Sequence, residues 1–451
     1  MFTPREIALR AEQALARQGK LGQTLIKAAL GSAGMKLAFT AIGFINAMLL
    51  ARMLTPSGYG IYSYVMALVT LLAIPAELGI PGLATREVAV TNARQEWGYM
   101  RGFIIRSHQA VLAFAAVLIV LAAVALSFWG RGMESTKLQA MWLGLLLVPL
   151  VSLGALRSSM LRGLRKVLLA QLPHQIIRPL IFMLLILSLP FWRGDLVSPG
   201  GVMGMQVISA TVAFCVGLYF FFRNRPAELM TARPVYRTSL WIKTSIPFGL
   251  IAGMQEINGQ TDILVLGLFH SDSDVGLYRV ATQMAAFVVF GLYVVNMVQG
   301  PHIAHLFACK DMPRLQRMVT KSARAILAFT LPVVLVLVLF GKMIITAAFG
   351  AEFAAAYPAL VVLCLGQLVN ASFGSVGSLL NMTGYEKDTF QGIAIGAFVN
   401  VALNFALTPV WGIMGAAVAT AVTLVVWNLV MWRKVRLRLG IEPSAFSRVR
   451  G

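Results

Sequence analysis

The chain has 451 residues, of which 58% are apolar and only 12% are charged, about half the charged share of soluble domains (roughly 25%). This composition excludes a soluble protein, which needs a large polar exterior, and intrinsic disorder, which needs low hydrophobicity. The net charge is +21, from 38 Lys and Arg against 17 Asp and Glu. Because the basic residues form short clusters between apolar runs, they indicate membrane topology and not a nucleic-acid partner.

Twelve apolar runs follow one another along the chain, and each is long enough to cross a bilayer as a helix of about 20 residues. In order, spans 1 to 12 are residues 28–52, 58–80, 104–129, 138–161, 170–192, 200–222, 244–268, 275–299, 322–340, 355–380, 389–409 and 411–432. The runs are too long for barrel strands, and open sheet edges are not viable in lipid. The sequence therefore predicts an all-α polytopic membrane protein with twelve transmembrane helices. Spans 4 and 7 are the least hydrophobic.

The charges of the loops predict the orientation of the helices. Twelve spans place both termini on one side, whose loops and termini carry thirty Lys and Arg residues against five on the other side. Positively charged loops stay in the cytoplasm, so we expect both termini there. The predicted parts are a basic N-terminal segment (1–27), an N-lobe (28–222), a basic linker (223–243), a C-lobe (244–432) and a basic tail (433–451).

The two predicted six-helix halves share short similarities at matching spans. GVMGMQVISATV (201–212) aligns without a gap on GIMGAAVATAVT (412–423), at the start of the last span of each half. A second alignment, at the start of the second span of each half, pairs Gly60 with Gly276. Since both halves begin and end on the same side, the sequence predicts a parallel repeat of two lobes, as in transporters that rock about a central substrate site.

Two stretches of the sequence resemble the oligosaccharide and polysaccharide flippases, whose superfamily also contains lipid II flippases and multidrug and toxic compound extrusion antiporters. In residues 48–89 the resembling elements are Ala51, Arg52, Leu54, Pro56, Gly58, Tyr59, Gly60, Leu78, Gly79, Arg86 and Glu87. In residues 379–420 they are Gly384, Glu386, Lys387, Asn400, Asn404, Pro409, Gly412, Gly415, Ala416 and Ala417. The likeness covers nearly the whole chain in helix count and loop size.

The resemblance implies a V of two lobes around a central cavity lined mainly by spans 1, 2, 7 and 8. It implies a transporter, not an enzyme, that flips an undecaprenyl-pyrophosphate-linked oligosaccharide across the bacterial inner membrane by alternating access, for surface polysaccharide or exopolysaccharide biosynthesis. The expected partners are the lipid-linked oligosaccharide, anionic membrane lipids, and a polysaccharide polymerase with its export machinery. No cofactor is expected, and coupling to H⁺ or Na⁺ is left open.

Seven ionisable residues lie inside the predicted spans, where a charge without a partner costs several kcal/mol. They are Lys36 in span 1, Glu77 in span 2, His108 in span 3, Arg178 in span 5, Glu256 and Asp262 in span 7, and Arg279 in span 8. Five of the seven lie on the spans that the resemblance places around the cavity. His108 and Arg178 lie near enough to the cytoplasmic interface to extend their polar ends to it, so we favour a structural role for both.

Ion pairs are the alternative to substrate contact for four of these residues. Asp262, near the outer end of span 7, and Arg279, near the start of span 8, lie at similar depths. Lys36 and Glu77 could pair likewise near the cytoplasmic ends of spans 1 and 2. Removing one member of a buried pair destabilises a protein whatever its function, so both interpretations stay open.

Glu256 differs because no basic residue is evident at its depth. It lies twelve residues, about 18 Å, into span 7 and near the bilayer midplane, among Gln255, Asn258 and Gln260. Burial disfavours the charged form of a carboxyl, so Glu256 could carry a proton or bind a cation. We predict Glu256 and Asp262 as coupling residues; a protonated Glu256 that only hydrogen-bonds a neighbouring helix is the structural alternative.

An anionic pyrophosphate would require cationic side chains, because Arg and Lys bind phosphate well. The predicted substrate-binding cations are Lys36, Arg52 and Arg279, and Arg52 could equally be an interfacial anchor. Amide and aromatic candidates for the sugars are Asn46, Asn296, Tyr62, Tyr64 and Tyr293.

Other classes of protein remain as alternatives. A cation-coupled multidrug exporter of the same superfamily would favour acidic cavity residues, and Glu256 with Asp262 leaves that open, as does a lipid II flippase. A polysaccharide polymerase or ligase would need a sizeable outer loop, whereas the predicted outer loops are short and hold no constellation of His, Arg and carboxylate. We predict neither catalytic residues nor metal ligands, since the three cysteines lie far apart without metal-site spacing.

Overall fold

The computed structural model describes residues 31, 34–189 and 197–447, and every regular element within these ranges is a helix. The predicted N-terminal segment 1–27 and the last four residues of the tail lie outside the described residues. Thirteen helices are described: α1 Gly34–Met53, α2 Pro56–Glu77, α3 Ile80–Arg94, α4 Trp97–Trp129, α5 Ser135–Gly163, α6 Val167–Ser188, α7 Pro199–Asn224, α8 Thr238–Phe269, α9 Asp272–Ala308, α10 Met312–Phe349, α11 Tyr357–Phe373, α12 Val376–Met382 and α13 Glu386–Leu439.

The twelve predicted spans correspond to these helices. Ten helical segments are long and apolar enough to cross a membrane. One of them, α13, has 54 residues and reverses at Gly412, whose φ of 54° and ψ of −130° interrupt the helix, so it supplies spans 11 and 12. Span 7 is α8, which carries several polar residues and is not among the ten segments. The protein is therefore a multi-pass, all-α membrane protein.

The region predicted to be a loop between spans 2 and 3 is largely helical. It contains α3, and α4 begins at Trp97, seven residues before the predicted start of span 3. Apolar run length cannot reveal these segments because charged residues such as Arg86, Arg94 and Arg101 keep their apolar runs far below the length of about 20 residues that a span needs. Leu78 and Gly79, both with positive φ, form the sharp turn from α2 into α3.

Local signals in the sequence fix the helix starts at the predicted outer face. Thr55 accepts a hydrogen bond from the Gly58 backbone N–H at the start of α2. Ser198 caps α7 in the same way, and Ser271 forms a reciprocal capping box with Asp274 at the start of α9. Proline follows the cap of α2 and of α7, a position whose backbone N–H would have no hydrogen-bond acceptor within the helix.

The two lobes share a core near one face and have separate cores near the other. The largest apolar cluster contains residues of both lobes, among them Leu50 and Tyr59 of the N-lobe and Tyr278 and Phe349 of the C-lobe. At the predicted cytoplasmic face, one cluster lies mainly in the N-lobe and another lies in the C-lobe. The lobes are thus joined most extensively near the predicted outer face.

Two glycines that the internal repeat makes equivalent contact each other where α2 crosses α9. A Cβ atom placed on Gly60 would lie 1.6 Å from the carbonyl oxygen of Asp272, and one placed on Gly276 would lie 2.1 Å from that of Pro56. The contact is reciprocal, as expected on the axis of a two-fold pseudo-symmetry. It supports the predicted parallel repeat and leaves no room for a side chain at either glycine.

Candidate functional site

A cavity of about 620 Å³ lies between the two lobes. Its walls come mainly from α1, α2, α8 and α9, which are the predicted spans 1, 2, 7 and 8, and also from α6. Such a volume falls in the range of small-molecule sites, roughly 300–1,000 Å³. Four of the seven ionisable residues predicted inside the spans line this cavity: Glu77, Arg178, Glu256 and Arg279.

Arg279 and Arg178 supply positive charge to the cavity wall. Arg279 is on α9, as predicted for a substrate-binding residue. Arg178 is on α6, and it lines the cavity instead of reaching the interface; its Nε and Nη2 atoms are buried with no hydrogen-bond partner in the described part of the chain. Arg178 directly follows a π-helical turn, Pro173–Ile177, and such turns are frequent at functional sites.

Aromatic rings lie beside these arginines on the N-lobe wall. The Tyr62 ring is stacked on Phe182 with centroids 6.1 Å apart and faces Tyr59 at 6.5 Å. All three residues line the cavity. Cationic groups next to flat apolar rings give one wall that is suited to a ligand with both phosphate and sugar parts.

Two carboxyl groups, those of Glu77 and Glu256, also line the cavity. Glu77 is the last residue of α2, and Glu256 lies on α8, so the two lobes each contribute one. The suggested pairing of Glu77 with Lys36 does not occur. The Lys36 ammonium lies 5.1 Å from the centroid of the Phe39 ring and 5.7 Å from that of Tyr293.

Asp262 is buried in the C-lobe, away from the cavity lining, and is surrounded by neutral donors. Its Oδ1 accepts from the Nδ2 atoms of Asn404 at 2.7 Å and Asn400 at 3.2 Å. Its Oδ2 accepts from the Tyr278 hydroxyl at 2.8 Å and from Thr420. The suggested ion pair of Asp262 with Arg279 is therefore wrong, since Tyr278, next to Arg279 in sequence, takes that place.

Arg52 lies outside the cavity, on the exposed surface at the predicted outer face. Its guanidinium donates to the carbonyl oxygens of Ala347 and Ala348 near the end of α10. These are the last carbonyls of a helix, where positive charge is favourable. The position matches the interfacial alternative for Arg52, and it joins α1 of the N-lobe to the C-lobe.

The amide candidates differ in position. Asn46 lines the cavity, and its Nδ2 donates to the Pro179 carbonyl at 2.9 Å, while its Oδ1 is buried without a partner among the described residues. Asn296 has an unpartnered Oδ1 too but is not part of the cavity lining. Of the aromatic candidates only Tyr62 reaches the cavity.

A salt bridge that the sequence did not suggest links the lobes at the predicted outer face. Lys137 of α5 lies 2.6 Å from the carboxylate of Asp272 at the start of α9. The Lys137 ammonium is also 5.1 Å from the centroid of the Tyr64 ring. No local sequence motif identifies the partner of Lys137, which lies 135 residues away in the chain.

The lobes also touch on the predicted cytoplasmic side of the cavity. A Cβ atom placed on Gly79 would lie 2.1 Å from the backbone nitrogen of Gly249 in α8. A Cβ atom placed on Gly82 would lie 2.8 Å from the Phe248 side chain. The cavity therefore lies between two sets of contacts, one near each face of the membrane.

The remaining intramembrane residue, His108, lies away from the cavity. Its Nδ1 is 2.8 Å from the Ile104 carbonyl oxygen, one turn earlier on α4. This local contact agrees with a structural role.

Two lobes of six spans, related by a parallel repeat and enclosing a largely apolar cavity with a few charged side chains in its wall, define the fold of a membrane transporter. Residues 26–307, more than half of the chain, match the family "Polysaccharide biosynthesis protein", and the protein belongs to that family. The matched region extends from the first span to the end of α9.

Known proteins resemble the chain in sequence and in fold. A probable low-salt glycan biosynthesis flippase, Agl15 of Haloferax volcanii, is 24% identical over 165 residues, which are 37% of this chain and 35% of that protein. The aligned stretch thus spans about a third of that relative. A multidrug resistance MATE family transporter in an inward-facing conformation superposes with a TM-score of 0.72 at 12% identity, over 90% of this chain and 98% of its own. The lipid II flippase MurJ, inward closed, gives 0.70 at 14% identity, over 90% and 87%.

Proposed function

We propose that the protein is a flippase that moves an undecaprenyl-pyrophosphate-linked oligosaccharide across the bacterial inner membrane for surface polysaccharide biosynthesis. Its family membership, and a relative that is named a glycan biosynthesis flippase, support this class of activity. With both termini in the cytoplasm, the substrate would leave from the cytoplasmic leaflet.

The observation that carries the proposal is the pair of cavity arginines. Among the ion pairs of the described residues, none involves Arg178 or Arg279. Both arginines are half-buried in the cavity wall. A cation within the membrane costs up to several kcal/mol when it has no anionic partner, so an anionic ligand would stabilise this cavity. A pyrophosphate fits because guanidinium groups bind phosphate oxygens in a bidentate way. The neighbouring rings of Tyr62 and Phe182 would contact the first sugars.

The mechanism we propose is alternating access between two closures. At the predicted outer face, Gly60 against Gly276 and Lys137 with Asp272 hold the lobes together. On the predicted cytoplasmic side, Gly79 against Gly249 does so. Opening one closure while the other stays shut would expose the cavity to one leaflet at a time.

The test is flipping of a fluorescent lipid-linked oligosaccharide by purified protein in liposomes. Arg178→Gln and Arg279→Gln should each reduce the initial rate at least tenfold, whereas Arg223→Gln, at an exposed position outside the cavity, should leave it unchanged. Equal rates for all three variants would overturn the proposal. Repeating the assay with lipid II in place of the lipid-linked oligosaccharide tests the alternative that the protein is a lipid II flippase.

A cation-coupled drug exporter is the second candidate, and the observation that favours it is the pair of cavity carboxyls of Glu77 and Glu256. An organic cation would bind carboxylates and be repelled by arginines. A fluorescent organic cation that enters proteoliposomes at a rate lowered by Glu77→Gln, while lipid flipping is absent, would replace the flippase proposal by this one.

For coupling we propose Asp262 in addition to Glu256. Asp262 joins α8, α9 and both halves of α13 through its four hydrogen bonds, and the Oδ1 of the adjacent Asn400 is buried with no partner in the ranges described. A carboxyl removed from water can hold a proton, and the free amide oxygen of Asn400 is the kind of ligand that a cation such as Na⁺ would use beside it. Flipping that requires neither a Na⁺ gradient nor a pH gradient in the wild-type protein would refute a coupling role for both residues.

A further inference from the structure

A second cavity, of about 260 Å³, lies inside the N-lobe between α5, α6 and α7, and we call it the side pocket. His174 and Arg178 belong to its lining and also to that of the central cavity, so they form the wall between the two. Its other basic residues are Arg157 and Arg162 of α5. The lining of the side pocket, as far as the described residues form it, contains no Asp or Glu.

Arg157 is 2% exposed and is held in place by neutral groups only. Its Nη1 donates to the Phe214 carbonyl oxygen, and its guanidinium carbon lies 3.8 Å from the centroid of the Phe214 ring. Arg162 donates through Nη2 to the Ser159 hydroxyl at 2.6 Å and through Nη1 to that of Ser158 at 3.3 Å. Both side chains are therefore fixed, while their positive charges have no anionic partner in the described ranges.

Three arginines around one pocket repel each other. Arg157 is buried, and burying it without an anion costs several kcal/mol, while Arg178 is half-buried and Arg162 is exposed at the mouth of the pocket. Donors are also left free: Nε and Nη2 of Arg178 are buried without a partner in the part of the chain that is described. The side-chain amide oxygens of Gln171 and Gln175, which line the pocket, are also buried with no hydrogen-bond partner among the described residues. Rotating either amide would present its NH₂ group to the pocket. An anion with several oxygen acceptors would satisfy these groups together.

The depth of the pocket matches the phosphate region of a lipid leaflet. Arg162 is the next-to-last residue of α5, at the predicted cytoplasmic face, and Arg157 lies five residues, about 7.5 Å, deeper. The polar layer of each leaflet is about 5–8 Å thick, from a total of ≈ 40–45 Å and a hydrocarbon core of ≈ 30 Å. The rest of the lining is largely apolar, including Leu150, Val151 and Ala213, which suits the start of an acyl or prenyl chain.

We propose that the side pocket binds the phosphate group of an anionic lipid, with Arg157 and Arg162 as its ligands and Arg178 at its inner end. Basic pockets between transmembrane helices on the cytoplasmic side bind anionic lipid head groups elsewhere. Two sources share this chemistry: an anionic phospholipid of the leaflet, and the prenyl pyrophosphate of the substrate proposed above. The side pocket adjoins the central cavity and shares Arg178 with it, but its occupancy can be measured without transport.

The test uses the purified full-length protein, stripped of lipid in detergent, and counts bound lipids by native mass spectrometry. The probes are phosphatidylglycerol, phosphatidylcholine and undecaprenyl pyrophosphate, each titrated separately. Two variants change the pocket. Arg157→Gln removes its most buried charge, and Gly154→Leu fills it while leaving every arginine in place, since a Cβ atom on Gly154 would meet no atom within 4 Å.

Two matched controls accompany these variants. A Cβ atom on Gly259 of α8 also meets nothing within 4 Å, so Gly259→Leu adds the same bulk outside the pocket. Arg223→Gln removes an exposed arginine at the same predicted face, where it contacts only Tyr219 through its side chain among the described residues. The second control reports on general attraction of anionic lipids to a basic surface.

We expect one tightly bound anionic lipid in the wild-type protein, with affinity at least tenfold lower in Arg157→Gln and Gly154→Leu and unchanged in both controls. Whether phosphatidylglycerol or undecaprenyl pyrophosphate shows this pattern identifies the source of the phosphate. Wild-type affinity in Gly154→Leu for both anionic lipids would overturn the proposal. Equal binding of phosphatidylcholine would overturn it as well, because a zwitterionic head group does not compensate the arginines.

Discussion

Replacing Gly60 by alanine is expected to open the protein at the predicted outer face. The added Cβ would lie 1.6 Å from the Asp272 carbonyl oxygen, whereas ordinary contacts of this kind begin at 3.4 Å. The helices α2 and α9 would have to separate by about 2 Å, and neither contact atom belongs to a flexible side chain that could move away. Overpacking of this kind typically costs about 1–3 kcal/mol.

This cost applies only while the outer closure is shut. If the lobes separate there during transport, the substitution destabilises the closed state and leaves the open state unaffected. A difference of 1–3 kcal/mol changes a two-state equilibrium by about 5- to 150-fold. The reciprocal variant Gly276→Ala should have an effect of similar size, because its Cβ would lie 2.1 Å from the Pro56 carbonyl oxygen.

The assay measures how fast a membrane-impermeant maleimide reaches the cavity from outside the cell. Gln283 lines the cavity and is the labelling site once changed to Cys. The native Cys215 and Cys309 are exposed and must first be replaced. Gly60→Ala should raise the labelling rate at least fivefold, and Gly259→Ala should not change it, since nothing lies within 4 Å of its Cβ. A Gly60→Ala protein that is folded and labelled at the wild-type rate would refute the idea that this contact closes the cavity.

Four further outcomes are expected. Glu256→Gln should fold and bind substrate but lose the response of flipping to an imposed pH gradient; a wild-type response in liposomes would leave Glu256 with a structural role. Asp262→Ala removes the acceptor that four donors share and should destabilise the C-lobe by about 1–3 kcal/mol, measured by thermal unfolding, while an unchanged midpoint would contradict the observed network. Exchanging the charges of Lys137 and Asp272 should restore the outer closure that either single charge reversal weakens, as read by the same maleimide assay. Cysteine labelling should place residues 223–243 in the cytoplasm, and the opposite result would reverse the proposed direction of transport.

The fold could be predicted from the sequence because every helix that crosses the hydrocarbon core needs about 20 mostly apolar residues. Span 7 is predicted from its apolar run despite its low hydrophobicity, and the alternation of basic loops supports the even number of spans, because one missing helix would scramble it. The helix α3 is not predicted, because polar and charged residues interrupt its apolar residues every few positions and no run reaches the length of a span. The equivalence of Gly60 and Gly276 was predicted from alignment, and the structure places the two in contact.

The site was harder to predict, because sequence gives the depth of a residue but not its direction around the helix axis. Arg279 and Asp262 do lie on neighbouring helices, yet Tyr278 faces Asp262 while Arg279 faces the cavity. Arg178 was assigned to the interface from its depth alone. The π-helical turn before it changes the angular position of the residues that follow, and no hydropathy pattern reveals that turn.

The reversal of α13 at one residue, Gly412, determines how stiff the C-lobe is. Gly415 already packs on the Leu407 backbone, so no loop separates the two antiparallel halves and neither can slide along the other. The Asp262 carboxylate accepts hydrogen bonds from Asn404 in the first half and from Thr420 in the second half. Binding or release of a proton or Na⁺ at the Asp262 carboxylate would therefore displace both halves of α13 together. A change at one buried carboxylate could in this way tilt the whole C-lobe relative to the N-lobe.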